Sequence, residues 1–137
     1  MPYRLVEHTA DVIVEAEGAC CARAFEAAAA GMYAVIVPGG AVQAAEWRTI
    51  EAEGETLEDL LLAWLTDLNY LTDAEGLVFG GFRVDRLAPP RLTGRAGGER
   101  FDPARHEGGQ IVKGVTRHLL QVRHQGDRCQ ATVTLDV

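Results

Sequence analysis

The chain has 137 residues, of which 47% are hydrophobic and 24% are charged, and its formal net charge is −7. This composition is typical of one globular domain spanning residues 1–137, and no apolar run is long enough to cross a bilayer. The absence of serine excludes a Ser-His-Asp hydrolase, and the acidic balance disfavours direct nucleic-acid binding because phosphates repel it.

Three cysteines are present: Cys20 and Cys21 are adjacent, and Cys129 stands alone. None has the spacing of metal ligands or of a redox pair, so the sequence predicts buried, inert thiols. The chain also starts without a charged-then-apolar leader. We therefore expect a cytoplasmic protein that has no membrane partner.

The first third of the chain predicts two strands and a helix. Alternating apolar residues indicate strands over Tyr3–Val6 and Val12–Glu17, with the polar turn Glu7–Asp11 between them. Apolar residues at helical spacing then predict a helix over Ala19–Tyr33, which ends before Pro38.

The middle of the chain predicts a strand and a longer helix. Trp47–Glu53 alternates like a strand, and the segment from Thr56 to Asp59 has the form of a helix-capping box. The apolar stripe of the helix that follows predicts core packing, and its members are Leu57, Leu60, Leu61, Trp64, Leu68 and Leu71.

The last third predicts strands separated by a polar loop. Leu77–Leu87 and Arg91–Arg95 are strand candidates, and the Gly-rich segment Gly97–Gly109 is predicted as a loop with at most one helical turn. Ile111–His124 and Arg128–Val137 are the predicted arms of a final hairpin. The order of elements predicts an α+β sandwich with both main helices on one face of the sheet.

The final strand has a regular alternation that assigns its two faces. One set of side chains is apolar and the other is polar. The apolar set is Cys129, Ala131, Val133, Leu135 and Val137, and the polar set is Gln130, Thr132, Thr134 and Asp136.

Charge is distributed unevenly, and one basic residue stands out. Residues 1–82 contain 14 acids and 3 arginines, whereas residues 83–137 contain 6 acids and 10 bases. The chain has twelve arginines and a single lysine, Lys113. An ammonium is a compact point charge and a guanidinium is a planar fork, so this usage indicates a role for Lys113 that arginine does not fill.

Several oxygen donors could together hold a hard cation. They include the carboxylates of Asp11 and Asp136 and the carboxylate of Val137, the last residue of the sequence. Carboxylates without nearby Cys or His suit Ca²⁺ or Mg²⁺, and the four histidines are not spaced like zinc ligands. Surface carboxylates are usually only solvated, so the residues alone leave both interpretations open.

Five segments together resemble the archease family, and the resemblance runs over nearly the whole chain. They are YRLVEHTADVIVEAEG (3–18), LEDLLLAWLTDLNYL (57–71), GERFDPARH (98–106), IVKGVT (111–116) and TLDV (134–137). Two positions depart from the family pattern. Gly114 stands where alanine is usual, and Arg117 stands where an aromatic residue is usual.

The resemblance implies a fold of the SHS2 type and a non-enzymatic role. The family's role is to assist an RtcB-type RNA ligase by promoting its guanylation and multiple turnover, in tRNA splicing or RNA repair. By position, the resemblance implies a divalent-cation site at Asp11, Asp136 and Val137, with Ca²⁺ expected and Mg²⁺ or Mn²⁺ as alternatives. It also implies that Lys113 activates the partner. Candidates to support the site are His8, Glu99, Asp102 and His106.

Two other functions remain open at this point. The first is a metal-dependent phosphohydrolase in which Asp11 and Asp136 hold an ion that activates water, although no general base is evident. The second is a general chaperone or assembly module without a dedicated partner.

Overall fold

The structure, a computed structural model, describes residues 2–7 and 10–137 and leaves the side chain of Glu7 undescribed. Over these residues it has seven strands and two helices, which confirms the α+β class. The elements are β1 (Tyr3–Glu7), β2 (Asp11–Gly18), α1 (Cys21–Ile36), β3 (Glu46–Glu53), α2 (Leu57–Glu75), β4 (Leu77–Ala88), β5 (Arg91–Arg100), β6 (Gly114–Gln125) and β7 (Arg128–Asp136).

The strands form two antiparallel sheets. The four-stranded sheet has the order β1-β2-β7-β6, and the three-stranded sheet has the order β3-β5-β4. Each helix contacts both sheets: α1 packs against β2, β7 and β4, and α2 packs against β3 and β6. Neither helix in the described ranges is long and apolar enough to cross a membrane.

Small residues allow α1 to lie close to the four-stranded sheet. A Cβ atom added at Gly31 would lie 2.7 Å from Cγ1 of Val14, so only glycine fits where α1 crosses β2. Alanines cover much of the same helix face, and their short side chains keep the backbones close. The fully buried residues of this face are Ala24, Phe25, Ala28, Ala29 and Met32.

Both ends of α2 are capped, and the N-terminal cap is the one that the sequence predicts. The amide of Asp59 donates a hydrogen bond to Oγ1 of Thr56 (3.1 Å), which satisfies a free N–H of the first turn. At the other end Gly76 has φ 71°, a left-handed conformation that glycine adopts without strain. The buried indole of Trp64 donates to the carbonyl of Phe25 (3.1 Å) and so connects α2 to α1.

β5 extends to Arg100, although the sequence predicts a strand that ends at Arg95 and a loop from Gly97. Glycine is uncommon in strands, so this segment resembles a loop in the sequence. At Gly97 the packing requires a residue without a side chain. A Cβ atom added at Gly97 would lie 2.7 Å from Cε2 of Trp47 on the neighbouring strand β3.

The final hairpin forms as predicted, with two differences. β6 begins at Gly114 instead of Ile111, and its pairing with β7 shifts register between Thr116 and Gln121. In this irregular segment the His118 carbonyl accepts a hydrogen bond from Oγ1 of Thr134 (2.7 Å). Thr134 is therefore only 1% exposed, although the alternation of β7 places it on the polar face.

The prediction of three buried, inert thiols is wrong for all three. Cys21 and Cys129, separated by 108 positions in the sequence and 5.0 Å between Cα atoms, form a disulfide, and Cys20 is free and exposed. Sequence spacing did not indicate the pair because only the packing of α1 on β7 brings the two residues together. The disulfide removes the support that three free thiols gave to a cytoplasmic location.

We expect Gly94→Ala to lower the free energy of unfolding by about 1–3 kcal/mol, because it overpacks the core. The new Cβ atom would lie 2.7 Å from the carbonyl oxygen of Arg83 and 2.9 Å from Cζ3 of Trp64. Urea denaturation measures the change.

The matched control is Gly114→Ala, because no atom lies within 4 Å of a Cβ added there. We expect this variant to remain within about 0.5 kcal/mol of the parent. Equal stability of the Gly94 variant and the control would contradict the packing described here. The open space also means that the alanine usual in the family fits at this position.

Candidate functional site

Asp11 and Asp136 lie side by side at one end of the four-stranded sheet. Asp11 is the first residue of β2, Asp136 is the last residue of β7, and the two are directly paired in the antiparallel register. Side chains paired in this way point to the same face, with Cβ atoms about 5 Å apart. Asp136 follows the buried Leu135, so this face is the one turned away from the core.

Backbone hydrogen bonds hold Val137 and Lys113 on either side of Asp136. The amide of Val137 donates to the carbonyl of Ala10 (3.2 Å), which keeps the last residue against the start of β2. The amide of Lys113 donates to the carbonyl of Asp136 (2.7 Å). We call Asp11, Lys113, Asp136 and Val137 the acidic tip.

Lys113 has a fixed backbone and an exposed side chain. Among the side chains that the structure describes, those of residues 2–6 and 10–137, no carboxylate forms an ion pair with its ammonium group. Most arginines of the protein, in contrast, pair with acids, as Arg95 does with Asp85 and Arg117 with Asp59. The side chain of Lys113 is therefore accessible from solvent.

The segment 101–113 reaches the acidic tip because it is attached to both helices. The amides of Gly109 and Gln110 donate to the carbonyls of Ile36 and Val35 (2.9 and 3.0 Å), which satisfies the free carbonyls at the C-terminal end of α1. Nδ2 of Asn69 on α2 donates to the carbonyl of Val112 (2.9 Å). These bonds fix the residue immediately before Lys113.

A compact polar network holds the other end of this segment. The amide of Asp102 donates to Nδ1 of His106 (2.8 Å), so the proton of the neutral ring is on Nε2. Nε2 then donates to Oε2 of Glu99 (3.0 Å), which also accepts the amide of Gln43 (2.7 Å). The guanidinium of Arg105 donates to the other oxygen of Glu99.

These bonds stabilise Glu99 in its charged form. The Arg105 guanidinium is the largest influence, followed by the Gln43 amide, and together with His106 they lower the pKa of Glu99 from its ordinary 4.5 to about 2. His106 is 4% exposed, and both of its ring nitrogens are bonded. The network therefore orders the segment that leads to Lys113.

An apolar groove of about 300 Å³ lies beside the same segment. Its lining includes Phe101, which is 36% exposed, and Ile111, which is 78% exposed and lies two residues before Lys113. Asp73 of α2 contributes a carboxylate to the lining. A large exposed aliphatic side chain next to the acidic tip gives this surface both an apolar and a charged part.

The acidic tip contains the donor types that a hard cation requires. The carboxylates of Asp11 and Asp136 are neighbours, and Val137 is held beside them by its bond to Ala10. Among the described side chains of residues 2–6 and 10–137, no three from His, Cys, Asp or Glu are grouped so that they could hold a metal by themselves. His8 lies outside the described residues.

Comparison with known proteins agrees with this architecture. Residues 3–137 match the model of the Archease protein family (MTH1598/TM1083). The chain belongs to the archease family. Among its relatives, protein archease of Pyrococcus furiosus is 40% identical over 135 residues, covering 96% of this chain and 95% of the relative. Protein archease of Aeropyrum pernix is 37% identical, with coverage of 96% and 94%.

Solved structures of archease relatives show the same fold. The solution structure of Methanobacterium thermoautotrophicum protein 1598 matches with a TM-score of 0.85 and 32% sequence identity, and the match covers 99% of this chain and 99% of that one. The crystal structure of an archease, "possible chaperone", from Thermotoga maritima has a TM-score of 0.62 at 22% identity, over 98% of this chain and 96% of that one. The second similarity concerns the fold alone.

The archease fold brings together some of the residues singled out in the sequence and separates others. Asp11, Lys113, Asp136 and Val137 converge at the acidic tip. The residues Glu99, Asp102 and His106 form their own network, and their hydrogen-bond partners in the described chain lie outside the tip.

Asn69 was missed in the sequence. Its only signal is an amide side chain on a helix whose polar residues are otherwise acids, threonines and a tyrosine, and such a residue is usually solvated. Arg105 was missed as well. It lies in the matched loop segment, but its distance of six positions from Glu99 fits no helix or strand periodicity.

Glu99→Gln should make stability less dependent on pH in acid. Because the pKa of Glu99 in the folded protein is about 2, below its ordinary 4.5, the charged carboxylate contributes stability above pH 4.5 that is lost as the pH falls towards 2. The glutamine variant lacks this contribution, so we expect a lower melting temperature at pH 7 and a shallower decline between pH 4.5 and 2.

Thermal unfolding at several pH values measures both effects. Glu55→Gln is the control, because Glu55 is exposed and precedes α2 outside the network. Superimposable pH profiles for the parent and the Glu99 variant would contradict the role of this network.

Proposed function

We propose that this protein is a non-catalytic activator of an RtcB-type RNA ligase, promoting guanylation and repeated turnover of that enzyme in tRNA splicing or RNA repair. The acidic tip is the part that approaches the ligase active site. The observation that carries the proposal is the convergence of Asp11, Lys113, Asp136 and Val137 at one end of the four-stranded sheet. Membership of the archease family supports it.

Lys113 has the properties expected of a group that acts on a partner. Its backbone is fixed by the bond to Asp136, and its ammonium is exposed. A point charge with three movable donors can be placed beside a phosphate or carboxylate in a narrow site, where a planar guanidinium is too wide. We assign to Lys113 the positioning of nucleotide or protein groups in the ligase.

A divalent cation, Ca²⁺ in the first instance, would be held by Asp11, Asp136 and the carboxylate of Val137. Such an ion would offset the repulsion between neighbouring negative groups and keep the tip in one arrangement. Mg²⁺ and Mn²⁺ have the same preference for oxygen donors and are the alternatives. The residues of the tip orient one another through the β2-β7 register.

Charge favours an encounter with an RNA-binding enzyme. The protein carries a net charge of −7, and a ligase that binds RNA presents basic surface. Complementary charges steer association and increase its rate. The groove beside Ile111 adds apolar surface next to the tip, which a protein partner can bury.

Two other functions would give different results. A phosphohydrolase needs a general base near Asp11 and Asp136. The buried His106 is not available as that base, because both of its ring nitrogens are already hydrogen-bonded. A general chaperone is favoured by the exposed apolar groove, and the Thermotoga maritima relative carries the words "possible chaperone". Hydrolysis of GTP by the isolated protein would indicate the former, and suppressed aggregation of unrelated proteins the latter.

Lys113→Arg should lose most of the stimulation of ligase guanylation while the fold is retained. The parent protein, at amounts well below those of the ligase, should accelerate transfer of GMP from GTP to the ligase and should itself neither ligate RNA nor hydrolyse GTP. Labelled GTP incorporated into the ligase over time measures the effect. The matched control is Arg123→Lys, the reverse exchange at an exposed position of β6, which should behave like the parent.

Two outcomes would count against this assignment. If the parent fails to accelerate guanylation over a range of GTP and metal concentrations, the ligase-activator function is wrong. If the parent accelerates guanylation and the arginine variant is equally active, the function stands and the specific need for an ammonium is wrong.

Asp11→Asn and Asp136→Asn should each weaken Ca²⁺ binding by at least about tenfold, because each removes one negative ligand and preserves side-chain size. A few residues appended after Val137 should have a similar effect, since they convert its carboxylate into a neutral amide. Isothermal titration calorimetry with Ca²⁺, Mg²⁺ and Mn²⁺ measures the affinities.

The matched control for the cation site is Thr132→Ala. Thr132 lies on the same strand as Asp136 and is half-buried, whereas the neighbouring Thr134 is buried and bonded to His118. Thr132→Ala should bind the ion like the parent. Equal affinity in all variants would show that the carboxylates of the tip are only solvated.

A further inference from the structure

A thiol-disulfide centre lies at the opposite end of β7 from the acidic tip. Cys21 is the first residue of α1, and Cys129 is the second residue of β7. In the sheet, Cys129 is paired with Gly18 of β2 on one side and with His124 of β6 on the other. The disulfide between Cys21 and Cys129 therefore joins the start of α1 to one end of β7, an inner strand of the four-stranded sheet.

A histidine lies against one of the two sulfurs. Nε2 of His124 is 3.5 Å from Sγ of Cys21, and the histidine is exposed, so it can exchange protons with water. Cys21 is also at the N-terminal end of a helix of 16 residues, where the partial positive charge favours an anion. Once reduced, Cys21 would have the surroundings that typically produce a reactive thiolate.

Exposure distinguishes the roles of the two cysteines. Cys21 is 7% exposed and Cys129 is fully buried at 0%. An oxidant from solvent therefore reaches Cys21 first and only if it is small, whereas Cys129 can react only with its neighbour. Cys21 therefore has the accessibility of the cysteine that attacks the oxidant, and Cys129 has that of the resolving cysteine, which converts the oxidised thiol into a disulfide.

We propose that Cys21, Cys129 and His124 form a peroxide-reactive centre that closes the α1-β7 disulfide. The Cys21 thiolate attacks the terminal oxygen of a hydroperoxide, an S–O bond forms, the O–O bond breaks, and His124 donates a proton to the leaving oxygen. This gives a sulfenic acid on Cys21 and one alcohol, or water when the oxidant is hydrogen peroxide.

The second step consumes the sulfenic acid. The Cys129 sulfur attacks the Cys21 sulfur, the S–S bond forms, the S–O bond breaks, and the hydroxide leaves as water with the proton of the Cys129 thiol. In total, two thiols and one hydrogen peroxide give one disulfide and two waters. Two equivalents of a small thiol reverse the oxidation.

The disulfide should make folding stability depend on the oxidation state. It closes a loop across 108 positions, and cross-links of long loops restrict the unfolded chain most. Reduction should lower the melting temperature by roughly 5–15 °C. The acidic tip is about 20 Å away along β7, so cation binding there should change little.

Cys20 provides an internal comparison. It immediately precedes Cys21 and is exposed, but its side chain makes no capping hydrogen bond and it is not part of the disulfide. Reactivity that depended on exposure alone would be highest at Cys20. The proposal places the fast reaction at Cys21.

The test uses the full chain, reduced and then freed of reductant. Hydrogen peroxide is added with or without a cyclic 1,3-dione that traps sulfenic acids, and peptide mass spectrometry locates the products over time. In the parent, the Cys21–Cys129 linkage should appear at least about tenfold faster than any product at Cys20. In Cys129→Ala, the trapped adduct should accumulate on Cys21.

Two variants complete the test. His124→Gln should slow oxidation of Cys21 by at least about tenfold, because the proton donor is lost at an exposed position where the fold tolerates substitution. Cys20→Ala should leave the rate unchanged. Oxidised glutathione should react more slowly than hydrogen peroxide, since the 7% exposure of Cys21 admits only a small oxidant.

Specific results would overturn the proposal. Adducts located on Cys20, an unchanged rate in His124→Gln, or faster oxidation by glutathione disulfide would each contradict one of its parts. If the Cys21–Cys129 disulfide does not form in the oxidised parent, the whole proposal is wrong. This result needs no folding control, because the parent carries no substitution. None of these readouts involves a ligase or a cation, so they are independent of the proposed function.

Discussion

The register of β7 is the constraint on which the acidic tip depends. β7 lies between β2 and β6, and the backbone of Asp136 is paired with Asp11 on one side and with Gly114 on the other. A slip of one residue would turn Asp136 towards the core and Leu135 towards solvent, so burial of the apolar face fixes the register. The same burial that stabilises the sheet therefore positions the carboxylates.

The position of Lys113 depends on a second set of interactions, outside the sheet. The segment before it is bonded to the last carbonyls of α1 and to Asn69 of α2, and the Glu99–His106 network orders its start. The bonds to α1 satisfy carbonyls that the end of a helix leaves free. One segment thus completes α1 and places the backbone of Lys113 beside Asp136.

Charge in this protein is arranged in two ways. Most arginines pair with carboxylates on exposed surface, where an ion pair contributes little to stability. At the acidic tip, Asp11 and Asp136 are neighbours of the same sign, and the single lysine is held nearby without a paired acid in the described chain. Two neighbouring carboxylates repel each other in the isolated protein, and a bound cation or a protein partner would offset that repulsion.

The sequence by itself determined the local features. The capping box at Thr56, the apolar stripe of α2, the alternation of β7 and the α+β class follow from periodicity and from residues a few positions apart, and the structure confirms them. The motifs of the archease resemblance also named the residues of the acidic tip, although their roles remain predictions.

Tertiary structure alone decided the division into two sheets, the burial of Thr134, the strand through Gly97 and the Cys21–Cys129 disulfide. Each of these depends on contacts between residues far apart in the chain, such as Trp47 over Gly97 or α1 over β7, and periodicity in one segment carries no information about which distant segment packs against it.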